Sequence, residues 1–204
     1  MPMKPYAESA EQNREPILAV IREVFTAPGT VLEVGSGTGQ HAVAFAGALP
    51  HLTWQTSDQR ENHPGIQQWL AEAGLANTRE PLTIDTREAG WEAAVIGPMD
   101  GIFSANTVHI MDWPAVEGFF AGVGQLLSEE GAFCLYGPFS RGGEHNAPSN
   151  AEFDAFLRQR DGGSGVRDLD DLEALAARHG LYLAAEHPMP ADNRTLVWRR
   201  AARQ

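Results

Sequence analysis

Apolar residues along the chain alternate between two spacings. Ile17, Leu18, Ile21, Val24 and Phe25 recur at helical intervals and predict an amphipathic helix over 13–25, with Asn13 as its N-cap and Pro16 in the first turn. Residues 31–34 form a short apolar strand that runs into Gly35-Ser36-Gly37-Thr38-Gly39, and a helix over about 40–49 follows. The alternation then repeats. Strands over 53–57, 82–84, 101–105 and 132–136 are interleaved with helices over 65–73 and 114–127. Ser149-Asn150-Ala151-Glu152 reads as a capping box that opens a helix to about residue 159. A helix over 168–179 ends at Gly180, and strands over 181–186 and 195–200 are joined by a turn containing Pro188, Pro190, Asp192 and Asn193.

Strand–helix alternation predicts a three-layer α/β architecture, Rossmann-like, with a mostly parallel sheet covered on both faces. The last two strands lack an intervening helix and predict one antiparallel edge strand. No repeat, low-complexity segment or linker divides residues 1–204, so one domain is expected. Ligands of such sheets bind beyond the carboxyl ends of the strands. That directs attention to Gly35 through Gly39, Asp58, Asp85, Asn106 and Tyr136.

Composition narrows the chemistry. The 204 residues are 43% hydrophobic and 21% charged, enough for a core without covalent staples. The net charge is −12, Lys4 is the only lysine and the arginines are scattered, so no nucleic-acid partner is expected. Cys134 is the single cysteine, which excludes a disulfide framework and a Cys-rich zinc site. The histidines show no metal-ligand spacing, so no metal is expected. There is no run of 18 apolar residues to span a membrane. The polar stretch 1–13 has no secretion-signal core, and a cytoplasmic location is expected.

The glycine loop after the first strand suits a nucleotide-containing ligand. A dinucleotide fingerprint places a third glycine where this chain has Gln40, and Glu33 stands two residues before the loop, where it repels a pyrophosphate and favours a cation. S-adenosylmethionine has an adenosine, a sulfonium and an α-ammonium but no phosphate. Asp58 at the end of the second strand can accept from both ribose hydroxyls, and Asp85 can meet the adenine amino group. The plain alternative is a turn-forming glycine cluster with two solvated strand-end carboxylates. Glu33 and Gln40 argue against a nicotinamide-dependent oxidoreductase. A non-catalytic S-adenosylmethionine-binding module acting through a protein partner is the alternative to an enzyme.

Glu33-Val34-Gly35-Ser36-Gly37-Thr38-Gly39 resembles the first motif of class I S-adenosylmethionine-dependent methyltransferases. More narrowly, the chain resembles the methyltransferase-like 26 family through AEQNREPIL (10–18), VLEVGSGTGQHA (31–42), WQTSD (54–58), ANTVHI (105–110), YGPF (136–139), SNAEFD (149–154) and VRDL (166–169). The resemblance implies a seven-stranded fold with S-adenosylhomocysteine as product but brings no known substrate; compactness, acidity and the absence of a nucleic-acid module favour an unidentified small molecule. The resemblance also favours a cofactor contact at Asn13 and an N-terminal lid over 1–28. One departure is visible: Arg160-Asp161 is followed by Gly162-Gly163-Ser164-Gly165 where the family carries Pro and Trp, implying a softer loop.

Methyl transfer requires a nucleophile aligned behind the sulfonium methyl. Asn106 is placed to bond cofactor or substrate. His109 reads either as the base or as a loop histidine packed under the next helix. Tyr136 reads as an orienting catalytic residue or as a core tyrosine. An insert over 138–168 offers Arg141, Asn146 and Asn150 as substrate-binding candidates, together with Tyr6 on the lid. Arg167-Asp168 is read as an ion pair that fixes the insert. The oligomeric state is not set by the sequence.

Overall fold

The computed structural model describes residues 4–202. Its first half runs α1 (Glu8–Val24), β1 (Gly29–Val34), α2 (Gln40–Ala48), β2 (Leu52–Asp58), α3 (His63–Ala73), β3 (Thr78–Thr83), β4 (Met99–Ala105) and α4 (Trp113–Leu126). The second half runs β5 (Leu127–Gly137), β6 (Phe139–Arg141), β7 (Glu144–His145), α5 (Pro148–Arg160), β8 (Arg167–Asp168), α6 (Leu169–Arg178), β9 (Leu181–Pro188) and β10 (Arg194–Arg200).

Seven strands form one sheet in the order β3-β2-β1-β4-β5-β10-β9, and only β10 is reversed. The antiparallel pair expected at one edge is the β9–β10 hairpin. The reversed strand itself is seated between β5 and β9. Its burial explains which partner lies inside. Thr195 through Trp198 are buried on both faces, whereas β9 mixes buried, half-buried and exposed positions as an edge does.

The two faces carry separate cores. Ile17 and Ile21 of α1, Phe45 of α2 and Ile66 of α3 pack on Trp54 and Phe103. On the opposite face Phe119 and Phe120 of α4 and Leu172 and Leu175 of α6 pack on Phe133 and Trp198. Both are close-packed apolar layers, the main source of stability in a three-layer fold.

Several local expectations change. The first helix begins at Glu8, so Asn13 is not a cap but a buried interior residue, and Pro16 lies in mid-helix, where it removes the amide that the Gln12 carbonyl would accept. The third strand covers Thr78–Thr83 on the exposed sheet edge, where a polar sequence hides the strand period. The capping box does not form. Nothing caps α5 through a side chain, and Ser149 Oγ donates to Asp192 Oδ2 at 3.4 Å instead.

The insert folds as a small sheet in the order β7-β6-β8. Arg167 and Asp168 fix it by separate means rather than as an ion pair. The Asp168 carboxylate accepts from the amides of Gly142 and Gly143 at 3.2 and 2.7 Å, and it caps α6 by accepting from the Asp170 amide. Buried Arg167 donates to the carbonyls of Val108, Gly163 and Met111. The glycine-containing stretch after Arg160 is pinned: the Gly165 amide donates to the His109 carbonyl at 2.9 Å, and Ser164 is almost fully buried.

Candidate functional site

The carboxyl ends of β1, β2 and β4 open together where the strand order reverses beside β1, as expected for a doubly wound sheet. After β1 the chain turns through Gly35, Gly37 and Gly39, all with positive φ. Gly39 is fixed by contact as well as conformation. A Cβ there would come within 3.0 Å of the Ile66 backbone, so α3 could not lie so close. At Gly37 a Cβ would meet nothing within 4 Å, and the absent side chain leaves open space.

That space belongs to a cleft of about 450 Å³. Gly35, Gly37, Asp58, Asp85 and Asn106 line it, five of the nine residues expected to bind cofactor. Asp58 Oδ2 accepts from the Gly37 amide at 2.7 Å, while Oδ1 accepts from the Gln59 amide at 2.7 Å and from Asn62 Nδ2 at 2.8 Å. Asp85 Oδ1 accepts from the Arg87 amide at 3.0 Å, an Asx turn that leaves its other oxygen unused by that bond.

Glu33, Ser36 and Gly39 do not line the cleft. Glu33 lies beneath the loop, where its Oε2 accepts from Trp54 Nε1 at 3.0 Å and from Ser36 Oγ at 2.9 Å. Burial pushes its carboxyl up to about 7; the two donors oppose that, and the Asp58 charge adds to it. The geometry makes Glu33 an anchor for the loop. Asn13 also stands outside the cleft, with its Oδ1 2.7 Å from His41 Nε2. Burial brings His41 down to about 4, so it is neutral at pH 7.

A second cavity of about 310 Å³ lies beside the first. Asn106 lines both. Its φ of 58° turns the chain out of β4, and its amide donates to the Tyr136 carbonyl at 2.9 Å, which keeps the ends of β4 and β5 together. Asn13, Tyr136 and Asn150 line the second cavity as well. Burial raises the Tyr136 phenol, opposed by a hydrogen bond with Asn13.

Four candidates lie elsewhere. His109 lines neither cavity; its ring meets that of Phe153, a cavity residue, edge-on at 5.3 Å. Burial, followed by the Arg167 and Arg160 charges, lowers it to about 4. It is neutral at pH 7, but nothing brings it against the cavity as a base. Arg141 is engaged by Asp170, Glu173 and Glu186. Asn146 donates to the Asp192 carbonyl at 3.0 Å and holds the β9–β10 turn. Tyr6 is 62% exposed and lines neither cavity. It sits on a strap tied down by the Ala7 amide bonding Gln40 Oε1 and by Trp69 Nε1 donating to the Pro5 carbonyl. Residues 1–3 of the expected lid lie outside the described residues.

Sequence reasoning missed Gln12, Phe153 and Asn193, all in the second cavity. Their signals were weak, since each belongs to an element read only as structure. Asn62 was also missed, although it follows the strand that ends at Asp58 and its spacing to that carboxylate is short. Among the described residues no cluster of three or more His, Cys, Asp or Glu side chains could hold a metal, and no helix is long and apolar enough to cross a membrane. Cys134 is buried, as expected.

The fold is similar to that of several solved structures. An O-methyltransferase family protein from Burkholderia thailandensis superposes with a TM-score of 0.82 at 14% identity, over 97% of this chain and 59% of its own. The mitomycin 7-O-methyltransferase MmcR gives 0.80 at 19%, over 95% and 54%. The S-adenosylmethionine-dependent methyltransferase SibL gives 0.76 at 19%, over 95% and 56%. The chain thus spans little more than half the length of these proteins, and the likeness is one of fold. The family described as Protein of unknown function (DUF938) matches residues 4–200, and the chain belongs to that family.

Proposed function

We propose that the protein is an S-adenosylmethionine-dependent methyltransferase acting on a small molecule, of the methyltransferase-like 26 kind. The observation that carries this reading is the meeting of two cavities at Asn106, one rimmed by Asp58 and Asp85 and floored by the open backbone at Gly37. The donor set fits the cofactor. Asp58 Oδ2 accepts from one protein donor and keeps a lone pair for a ribose hydroxyl. Asp85 lines the same cleft for the adenine amino group, and the arginine that also lines it, Arg87, is paired with Asp112 at 3.2 Å. The names of the fold neighbours agree with this cofactor and, for the mitomycin enzyme, with a small acceptor.

Held by Asp58, Asp85 and the loop at Gly37, S-adenosylmethionine would supply a methyl group activated by its sulfonium to an acceptor lone pair, with S-adenosylhomocysteine as the product. The chain's own residues bind and orient. Glu33 acts through Ser36 to stiffen the loop. Asn106 stands at the boundary between donor and acceptor, and Tyr136 orients the acceptor. The first helix and α5 form two walls of the second cavity. His109 supports the Phe153 wall. Two joined cavities favour this reading over a binding module without chemistry.

Calorimetry with S-adenosylhomocysteine tests the cofactor, with a mid-micromolar or tighter complex expected. Incubation with methyl-labelled cofactor and a metabolite extract tests the reaction. Absence of binding overturns the proposal, and binding with no labelled product in extract favours the module.

A further inference from the structure

The second cavity has a property that its general position does not require. Its polar lining consists of carboxamides and hydroxyls, with Gln12, Asn13, Asn106, Asn150, Asn193 and Tyr136 as the main groups. Among the described residues no Asp, Glu, Lys, Arg or His side chain lines it. The rest is largely apolar and flat, with prolines from α1, the end of β5 and the last hairpin, and the Phe153 ring from α5.

The ionisable groups around it are engaged elsewhere. Arg14 on the covering helix pairs with Glu11 and Glu15. Asp192, next to the lining residue Ala191, accepts from Ser149. Arg194, next to Asn193, pairs with Glu186 at 2.6 Å. His41 and His109, the two histidines behind the wall, are uncharged at neutral pH.

We propose that this cavity selects an uncharged, planar acceptor that carries hydrogen-bonding groups, and rejects anionic and cationic molecules of the same shape. The floor of the cavity, with Asn13, Tyr136, Pro138 and Asn150, is buried while Gln12 and Pro190 on its rim are exposed, so a charged group seated on the floor loses part of its water and finds no counter-charge there. Asn150 and Asn193 spend their Nδ2 atoms on Asn146 and on backbone carbonyls, which leaves their Oδ1 atoms and the Asn106 carboxamide to match neutral donors and acceptors. The protein's net charge of −12 adds a further bias against anions. The flat apolar faces suit a ring system, and the volume suits one or two rings. This inference rests on the methyltransferase reading only for the word acceptor; the charge selection stands on the lining itself.

Two matched sets of probes test it: nicotinamide, nicotinate and 3-(aminomethyl)pyridine, and benzamide, benzoate and benzylamine. Each is titrated against the full chain by ligand-observed saturation-transfer NMR, with and without S-adenosylhomocysteine. The neutral amide of each set is expected to bind about tenfold or more tightly than its charged partners. Gln12 is exposed, so Gln12→Glu leaves the fold intact while adding a carboxylate to the lining, and it is expected to turn the preference toward the two amines. A charged probe binding as well as its amide overturns the inference. So does failure of both amides to bind, or an amine-to-amide ratio unmoved by Gln12→Glu. Loss of S-adenosylhomocysteine binding with the probe order intact overturns the methyltransferase reading and leaves charge selection standing.

Discussion

The Asp58 carboxylate holds the Gly37 amide at 2.7 Å, so the end of β2 fixes the turn that follows β1. One side chain therefore shapes the loop and stands on the rim of the cleft that the loop floors. Asp58→Ala is expected to weaken S-adenosylhomocysteine binding by about 1–3 kcal/mol, the usual cost of losing charged hydrogen bonds. Asp58→Asn, which keeps one carbonyl acceptor, should fall between. Calorimetry measures both, and unchanged affinity in the alanine variant rejects the ribose assignment.

Arg167 controls the loop on the other side of the cleft. It is buried and donates to the carbonyls of Val108, Met111 and Gly163. Arg167→Met removes every one of these donors and should cost about 2–4 kcal/mol of stability. Arg167→Lys should recover only part, because an ammonium lacks the planar fork. Urea unfolding reads the difference, and an unmoved midpoint in the methionine variant contradicts the account.

Two opposed titrations set the response to acid. His41 and His109 fall from 6.5 to about 4 on folding, so the unfolded chain binds more protons. Their stabilising contribution is complete above pH 6.5 and is lost as pH falls toward 4. Glu33 rises from 4.5 to about 7, so its contribution is complete below pH 4.5 and is lost as pH rises through 7, by about 3 kcal/mol at most. Glu33→Gln should therefore gain stability relative to the parent at pH 8 and lose it more steeply on acidification. Denaturant midpoints from pH 4 to 8 check this, and the ring proton resonances of both histidines should titrate near 4.

The turn between β9 and β10 places Ala191 and Asp192 in succession at φ 56°. A Cβ is disfavoured there by about 1–2 kcal/mol. Ala191→Gly should stabilise the protein by about 1 kcal/mol in thermal unfolding, provided the Asn146 and Asn150 bonds to the Asp192 carbonyl persist. A lower melting temperature would show that the turn is not strained.

Much of the sheet was legible because its strands are short apolar runs ended by glycine or a carboxylate. Val31 through Val34 and Ile102 with Phe103 announce themselves in this way. β3 did not, because an exposed edge tolerates Thr-Arg-Glu-Pro without an apolar period. The first cleft could be read because strand ends are local in sequence, and Asp58, Asp85 and Asn106 each terminate one. The second cavity draws on α1, α5 and the last hairpin, whose convergence depends on tertiary packing. Arg141 looked available because its three acidic partners lie between 29 and 45 residues away. Glu33 was read as a cofactor contact, and its burial beneath the loop, set by Trp54, is not written in the spacing of the motif.

The reversal of β10 bears on how the chain matures. Residues up to 137 can assemble five parallel strands while synthesis continues, but β9 has no neighbour to bond until residues 194–200 emerge and slide between it and β5. During that interval the apolar rim of β5 lies bare, and a nascent domain arrested before residues 194–200 emerge would present a greasy flank that invites chaperones.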